Sequence, residues 1–234
     1  MKKLSYLFLV SCLMFHVSSS TADDYLRLDT ADPMFFNAKN DFLSRSSAAL
    51  WDSNLRLRQQ VSFGLTDSFT LGANIRYHEN FNGPNDGFSN AGILAEYRVG
   101  RDTVYTDLLF AVNLGGGSRK VPEFKHTEYI AGVRIGKQWT WATLAGTVRS
   151  NWLFDDLIGR ANLEFMPEFY FRFTSEWSAG VFVHVIKSTK PMLDRELVGL
   201  TVARRYGRTV YQLRSGYEFE QRDFILGGNL NILF

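Results

Sequence analysis

The chain has 234 residues, with 26 lysines and arginines against 24 aspartates and glutamates, 45% hydrophobic and 15% aromatic residues, and one cysteine. So even a balance gives no electrostatic footing for nucleic acid or a strongly anionic partner, and one cysteine excludes an internal disulfide framework. No stretch beyond the N-terminus approaches the roughly eighteen consecutive apolar residues of a transmembrane helix, so a membrane location would require a closed barrel, the other structure that satisfies every backbone group in lipid.

The first element is "MKKLSYLFLVSCLMFHVSSSTADD". Two lysines, an apolar run from Leu4 to Val17 and the small residues of Ser20-x-Ala22 read as a secretory signal peptide over residues 1–22, cleaved near Ala22. "LVSC" at 9–12 resembles a lipoprotein lipobox, but the apolar run continues past Cys12 through Leu13, Met14 and Phe15, which argues against cleavage there. Cleavage near Ala22 removes Lys2, Lys3 and Cys12 and leaves 24 basic and 24 acidic side chains. Residues 23–40 read as an N-terminal arm, and 41–234 as one barrel.

From residue 41 onward short polar turns punctuate the chain at Thr66-Asp67-Ser68, Gly100-Arg101-Asp102, Gly136-Lys137-Gln138, Thr174-Ser175-Glu176 and Tyr206-Gly207-Arg208. Between them lie the longer stretches "HENFNGPNDGFS", "GGGSRKVPEF", "NWLFDDLIGR" and "KSTKPMLDRE". Each interval fits two strands and one loop, the pattern of an all-β, up-and-down antiparallel transmembrane barrel with short turns at one end and longer loops at the other. The strands fall at 41–50, 54–65, 69–79, 89–99, 103–114, 125–135, 139–150, 160–173, 177–186, 196–206, 209–218 and 224–234. The first, "DFLSRSSAAL", alternates poorly, so about twelve strands are expected and ten remain the alternative. The clearest is "NLEFMPEFYFRF" at 162–173, which sets Leu163, Phe165, Phe169, Phe171 and Phe173 on one face and Glu164, Glu168, Tyr170 and Arg172 on the other. Pro167 on its apolar face removes one ladder hydrogen bond and calls for a local bulge. Phe63, Phe69, Tyr97, Trp139, Trp141, Phe171, Phe173, Trp177, Tyr211 and Phe234 gather near the short-turn ends, as an interfacial aromatic belt would.

The last strand, "FILGGNLNILF", alternates Leu230, Ile232 and Phe234 and stops on phenylalanine. It resembles the C-terminal strand of bacterial outer-membrane barrels. That resemblance implies Phe234, Ile232 and Leu230 as the assembly signal, the barrel assembly machinery, outer-membrane lipid and lipopolysaccharide as partners, and a Gram-negative outer membrane as the location. A C-terminal strand ending at the periplasm would place 80–88, 115–124 and 187–194 outside. The hairpin "QVSFGLTDSFTLGANIRY" also resembles the barrel family associated with phenol meta-pathway degradation.

By alternation the lumen receives Arg56, Arg58, Arg76, Arg98, Arg134, Arg160, Arg172, Arg204 and Arg214 against Glu96, Asp107, Glu128, Glu164, Glu168, Glu196 and Glu218. Mixed charges with no long stripe of one sign fit either a lumen cross-linked by ion pairs or a narrow passive path for small polar solutes. His78, His126 and His184 fall on the third, sixth and ninth expected strands, and a barrel roughly 24 Å across holds such strands too far apart for one zinc ion. No cofactor or metal is expected. For an outer-membrane lipid hydrolase or protease the raw material is Ser188 near His184, and Asp155 with Asp156, and neither pair has the nucleophile-and-base arrangement such chemistry needs. The expectation is a non-enzymatic channel or structural barrel, with its solute and oligomeric state left open.

Overall fold

A computed structural model describes residues 30–100, 104–153, 160–189 and 194–234. The signal peptide, Arg101 and Asp102 of one expected turn, and Asp155 with Asp156 lie outside the described residues. Twelve long antiparallel strands follow one another around the molecule: β1 (Phe42–Trp51), β2 (Asn54–Thr66), β3 (Phe69–Asn80), β4 (Gly92–Val99), β5 (Tyr105–Asn113), β6 (Glu128–Gln138), β7 (Ala142–Leu153), β8 (Arg160–Arg172), β9 (Trp177–Ser188), β10 (Arg195–Tyr206), β11 (Thr209–Glu218) and β12 (Asp223–Leu233). Each pairs with its neighbour in sequence, and β1 pairs with β12 from Leu43↔Leu233 to Trp51↔Ile225, which closes the sheet and leaves no edge among the twelve. A two-residue strand, Gly87–Phe88, adds to Tyr77 and His78 of β3, and a one-turn helix, α1 (Pro122–Lys125), interrupts the β5–β6 loop.

β1 forms despite its weak alternation because it has partners on both sides, pairing with β2 from Phe42↔Phe63 to Trp51↔Asn54 as well as with β12. Its outward Ser44 and Ser46 hydroxyls share the side chain of Gln59, so polar groups on a greasy face are satisfied laterally. The turn expected at Gly136-Lys137-Gln138 is instead strand, with Gly136↔Ala145, Lys137↔Leu144 and Gln138↔Thr143 in register. Gly136 is there for a different reason: a Cβ would come within 2.6 Å of the Met34 sulfur, so the glycine makes room for the N-terminal arm. The turn falls at 139–141, closed by the Trp139 N–H donating to the Ala142 carbonyl at 2.7 Å.

The burial pattern is that of an inside-out protein. On β8, Phe165 and Phe169 are 49% and 38% exposed, whereas Glu164 and Tyr170 are 3% and 2% exposed. The same holds around the wall, where Ile75, Ile93, Leu144, Val148, Val181, Leu200, Leu213 and Leu226 are exposed on the outer surface. Water would penalise an apolar belt of this extent, and hydrocarbon would not. Aromatic rings edge the belt at both ends. Trp139, Trp141, Phe171 and Phe173 form a run of ring contacts at the short-turn end, and Tyr217 packs against Phe219 and Phe224 at the long-loop end. Pro167 opposes Gly146 on the outer face, and the β8–β9 ladder skips from Phe182↔Glu168 to Val185↔Phe165, so the missing donor is absorbed by a break in pairing.

Candidate functional site

The lumen is the concave site, and its inward side chains come from alternate positions of the strands. At the short-turn end the arm folds inside the barrel. Arg172 of β8 donates to the Asp32 carboxylate, which also accepts from the Thr143 hydroxyl at 2.5 Å and from the Met34 N–H at 2.7 Å. Arg98 donates to the Met34 carbonyl at 2.7 Å, and Arg45 and Asn231 donate to the Thr30 carbonyl, each at 3.2 Å. The arm thus satisfies its backbone with side chains of the wall, as a buried segment without regular structure must. Gly64 completes the fit, because its N–H and carbonyl bond Asp41 and Asn40, and a Cβ there would collide with the Ala38 carbonyl.

Above the arm, ion pairs rib the wall. Asp107 is fully buried and accepts from Arg98 at 2.6 and 2.9 Å and from Arg134 at 2.7 and 2.9 Å, and Arg134 also reaches Glu96 at 3.5 Å. Glu164 gathers Arg149 at 2.7 Å, His184 at 2.9 Å and the Asn151 amide, and Glu168 accepts from Arg214 at 2.5 Å. Farther out, α1 turns Glu123 and Phe124 inward. Glu123 accepts from Arg56 at 2.9 Å, and Arg76, paired with Glu128 at 3.3 Å, lies over the ring of the buried Phe124 at 5.2 Å. Between arm and helix remains a cavity of about 720 Å³, with a second of about 310 Å³ adjoining it along β1, β2, β8, β9, β10, β11 and β12.

Of the residues expected in the lumen, Arg56, Arg58, Arg76, Glu96, Asp107, Glu128, Arg134, Glu164, Glu168, Arg172, Arg214 and Glu218 point inward, as does Arg98. Nothing is described of the Arg160 side chain. Arg204 and Glu196 do not belong to the set. Arg204 lies on the outer face, its guanidinium 5.2 Å from the centre of the Trp177 ring and 3.8 Å from Glu176, and Glu196 bonds Lys187 at the other rim. Both sit near strand ends, where the outward face meets headgroups and charge no longer marks the lumen.

The sequence reading missed Asp32, Arg45, Glu123, Arg149 and Arg195. Asp32 and Glu123 lie on segments outside the strand pattern, and Arg45 lies on the weakly alternating β1. Arg149 and Arg195 carry an ordinary inward signal that alternation along β7 and β10 could have found. His184 is engaged by Glu164, and Ser188 is four residues farther along an extended strand, roughly 13 Å away. That separation is far beyond hydrogen-bond reach for a nucleophile and its base.

No protein-family model and no curated protein sequence matches the chain, so the likeness of the β2–β3 hairpin to the phenol meta-pathway family stays a likeness of one hairpin. Solved structures do match. The KdgM porin in complex with disordered oligogalacturonate superposes with a TM-score of 0.63 at 11% identity, over 81% of this chain and 98% of that one. An outer membrane channel from Pseudomonas putida F1 gives 0.66 at 9% identity over 87% and 99%, and the NanC porin gives 0.61 at 9% over 82% and 98%. Closure, the apolar belt, the charged lumen and these likenesses define the class: the chain is a twelve-stranded, porin-like β-barrel of the outer-membrane type.

Proposed function

We propose that the protein is a passive conduit for small solutes across the outer membrane of a Gram-negative bacterium, reached after removal of the signal peptide near Ala22. The observation that carries this reading is the cavity of about 720 Å³, lined by paired charges and narrowed by the arm at one end and by α1 at the other. A lumen filled by its own side chains would leave no such space. The similar structures that are porins and channels support the same reading.

In this proposal the short-turn end faces the periplasm, since both Phe234 and the arm lie there, and the loops at 81–91 and 114–127 face outward. The protein carries out no catalysis; the separation of Ser188 from His184 supports that. Reconstitution into planar bilayers tests the conduit. Discrete conductance steps are expected, and larger steps on deleting residues 30–38. Silence from both barrels would leave the second reading, a structural barrel with an ion-paired lumen, which the dense ribs around Asp107 and Glu164 favour. Tags inserted at Gly83 should be labelled on intact cells, and labelling only after permeabilisation would reverse the orientation.

A further inference from the structure

Among the described residues, the charge pairing of the lumen is incomplete around Arg58. Arg58 of β2 stands directly opposite Arg76 of β3, has Arg56 two residues before it on the same face, and lies diagonal to Arg45, which pairs with Gln60 across β1–β2. Like charges facing each other across a sheet repel, so anions interleaved in such a group stabilise it. Arg76 has Glu128 at 3.3 Å and Arg56 has Glu123 at 2.9 Å. Arg45 donates to neutral oxygens, the Asn231 side chain at 3.0 Å and the Thr30 carbonyl at 3.2 Å. The Arg58 guanidinium has no hydrogen bond or ion pair among the described residues, and it is exposed to the lumen. The charges that act on it most are Arg45, Arg76 and Arg149, three cations, and then Glu128.

Arg58 also borders both cavities. The smaller one is lined by Met166, Phe182, Leu197 and Ile225, an apolar patch of which all but Phe182 also border the larger cavity. The patch is held in place from both sides: Phe182 lies over Gly199, where a Cβ would come within 2.4 Å of its ring, and Arg214 packs on the ring at 4.7 Å. A planar guanidinium offers a fork of donors that matches a carboxylate in two-point geometry, at greater strength than neutral hydrogen bonds give. An adjoining apolar wall rewards a solute that carries a short hydrocarbon body behind that carboxylate.

We infer that Arg58, backed by Arg45, is a binding station for small organic carboxylates whose apolar body lies against Met166, Phe182, Leu197 and Ile225. The station deepens the conduit reading and rests on it for its biological sense. Such a solute supplies the anion that the arginine group lacks. It binds in the wall of the path and not across it, so it can leave toward either end.

Equilibrium binding of hexanoate to the refolded full-length mature barrel in neutral detergent tests this by calorimetry, with hexanamide as the uncharged probe of equal body. Hexanoate should bind the native barrel, and hexanamide at least tenfold more weakly. Arg58→Gln should weaken hexanoate binding at least tenfold and Arg58→Lys by less, while Arg204→Gln, on the outer face, should bind as the native barrel does. Heat-modifiable gel migration establishes that each variant is folded. Undetectable hexanoate binding to the folded native barrel, a folded Arg58→Gln barrel that binds hexanoate normally, or hexanamide binding as tightly as hexanoate, overturns the station. Charge-dependent binding together with silent bilayers would overturn the conduit and keep the station; conductance with charge-blind binding would do the reverse.

Discussion

Asp32 of the N-terminal arm and Arg172 of β8, 140 residues apart in sequence, form an ion pair in which both side chains are almost wholly buried. The arm is therefore tied to the barrel interior by a buried charge pair, with Thr143 and the Met34 N–H also donating to the Asp32 carboxylate. Removing one partner of a buried pair leaves the other uncompensated, at a cost of about 3 to 5 kcal/mol. Asp32→Ala should lower the unfolding free energy of the refolded barrel by that amount, read from urea titrations followed by tryptophan emission. Asp32→Ala combined with Arg172→Leu should recover much of the loss, since the orphaned cation is then gone.

The assignment of faces on β8 predicts opposite responses at adjacent positions. Phe169 looks outward, and an arginine placed there near the hydrocarbon midplane should cost about 2 to 4 kcal/mol. Glu168 looks into the lumen, where it accepts from Arg214 at 2.5 Å with both side chains partly exposed, so Glu168→Gln should cost no more than about 1 kcal/mol. Folding titrations in lipid vesicles read both values. Equal costs at the two positions would mean that the strand does not separate lipid from lumen.

Between the long loops, Lys120 donates to the Asp86 carboxylate at 2.8 Å, and that hydrogen bond holds the carboxyl below its usual range. A depressed pKa means that the bridge is intact above the ordinary aspartate value, about 3.9, and is lost only as pH falls below it through the folded-state value. Carbon-13 shifts of the Asp86 carboxyl should therefore titrate below the ordinary range in the native barrel. In Lys120→Met the titration should move up toward it.

Phe234 donates its backbone N–H to the Phe42 carbonyl at 2.8 Å and packs its ring on Phe42 at 5.5 Å, immediately beyond the last rungs of the β1–β12 seam. Deleting Phe234 removes one bond of the closing seam together with the terminal ring of the proposed assembly signal. The folded, heat-modifiable fraction in cells should fall several-fold, while the purified chain refolded in detergent should lose much less. Equal losses in both settings would assign Phe234 to the seam alone.

The alternation of β8 was legible residue by residue because a closed sheet between lipid and water imposes a strict period of two on each strand. The same rule read Glu164, Glu168 and Arg172 as inward from sequence. It misread Arg204 and Glu196, because near the rim an outward charge meets headgroups and a neighbouring ring and costs little. It misplaced the turn at Gly136, because a glycine made necessary by the side chain of Met34 looks in sequence like a glycine made necessary by a turn.

Sequence by itself determined the architecture: strand period, turn spacing and the C-terminal aromatic are local signals, and only a closed antiparallel barrel satisfies all of them in a membrane. What fills and lines that barrel was decided by tertiary structure. The arm enters because Asp32 finds Arg172, Thr143 and the space left by Gly64 and Gly136, and α1 turns inward because Glu123 finds Arg56. Among the described residues Arg58 is left unpaired for the same reason, since the anions that neutralise Arg56 and Arg76 come from segments distant in sequence, and such distances are set by how the sheet closes and not by any local pattern.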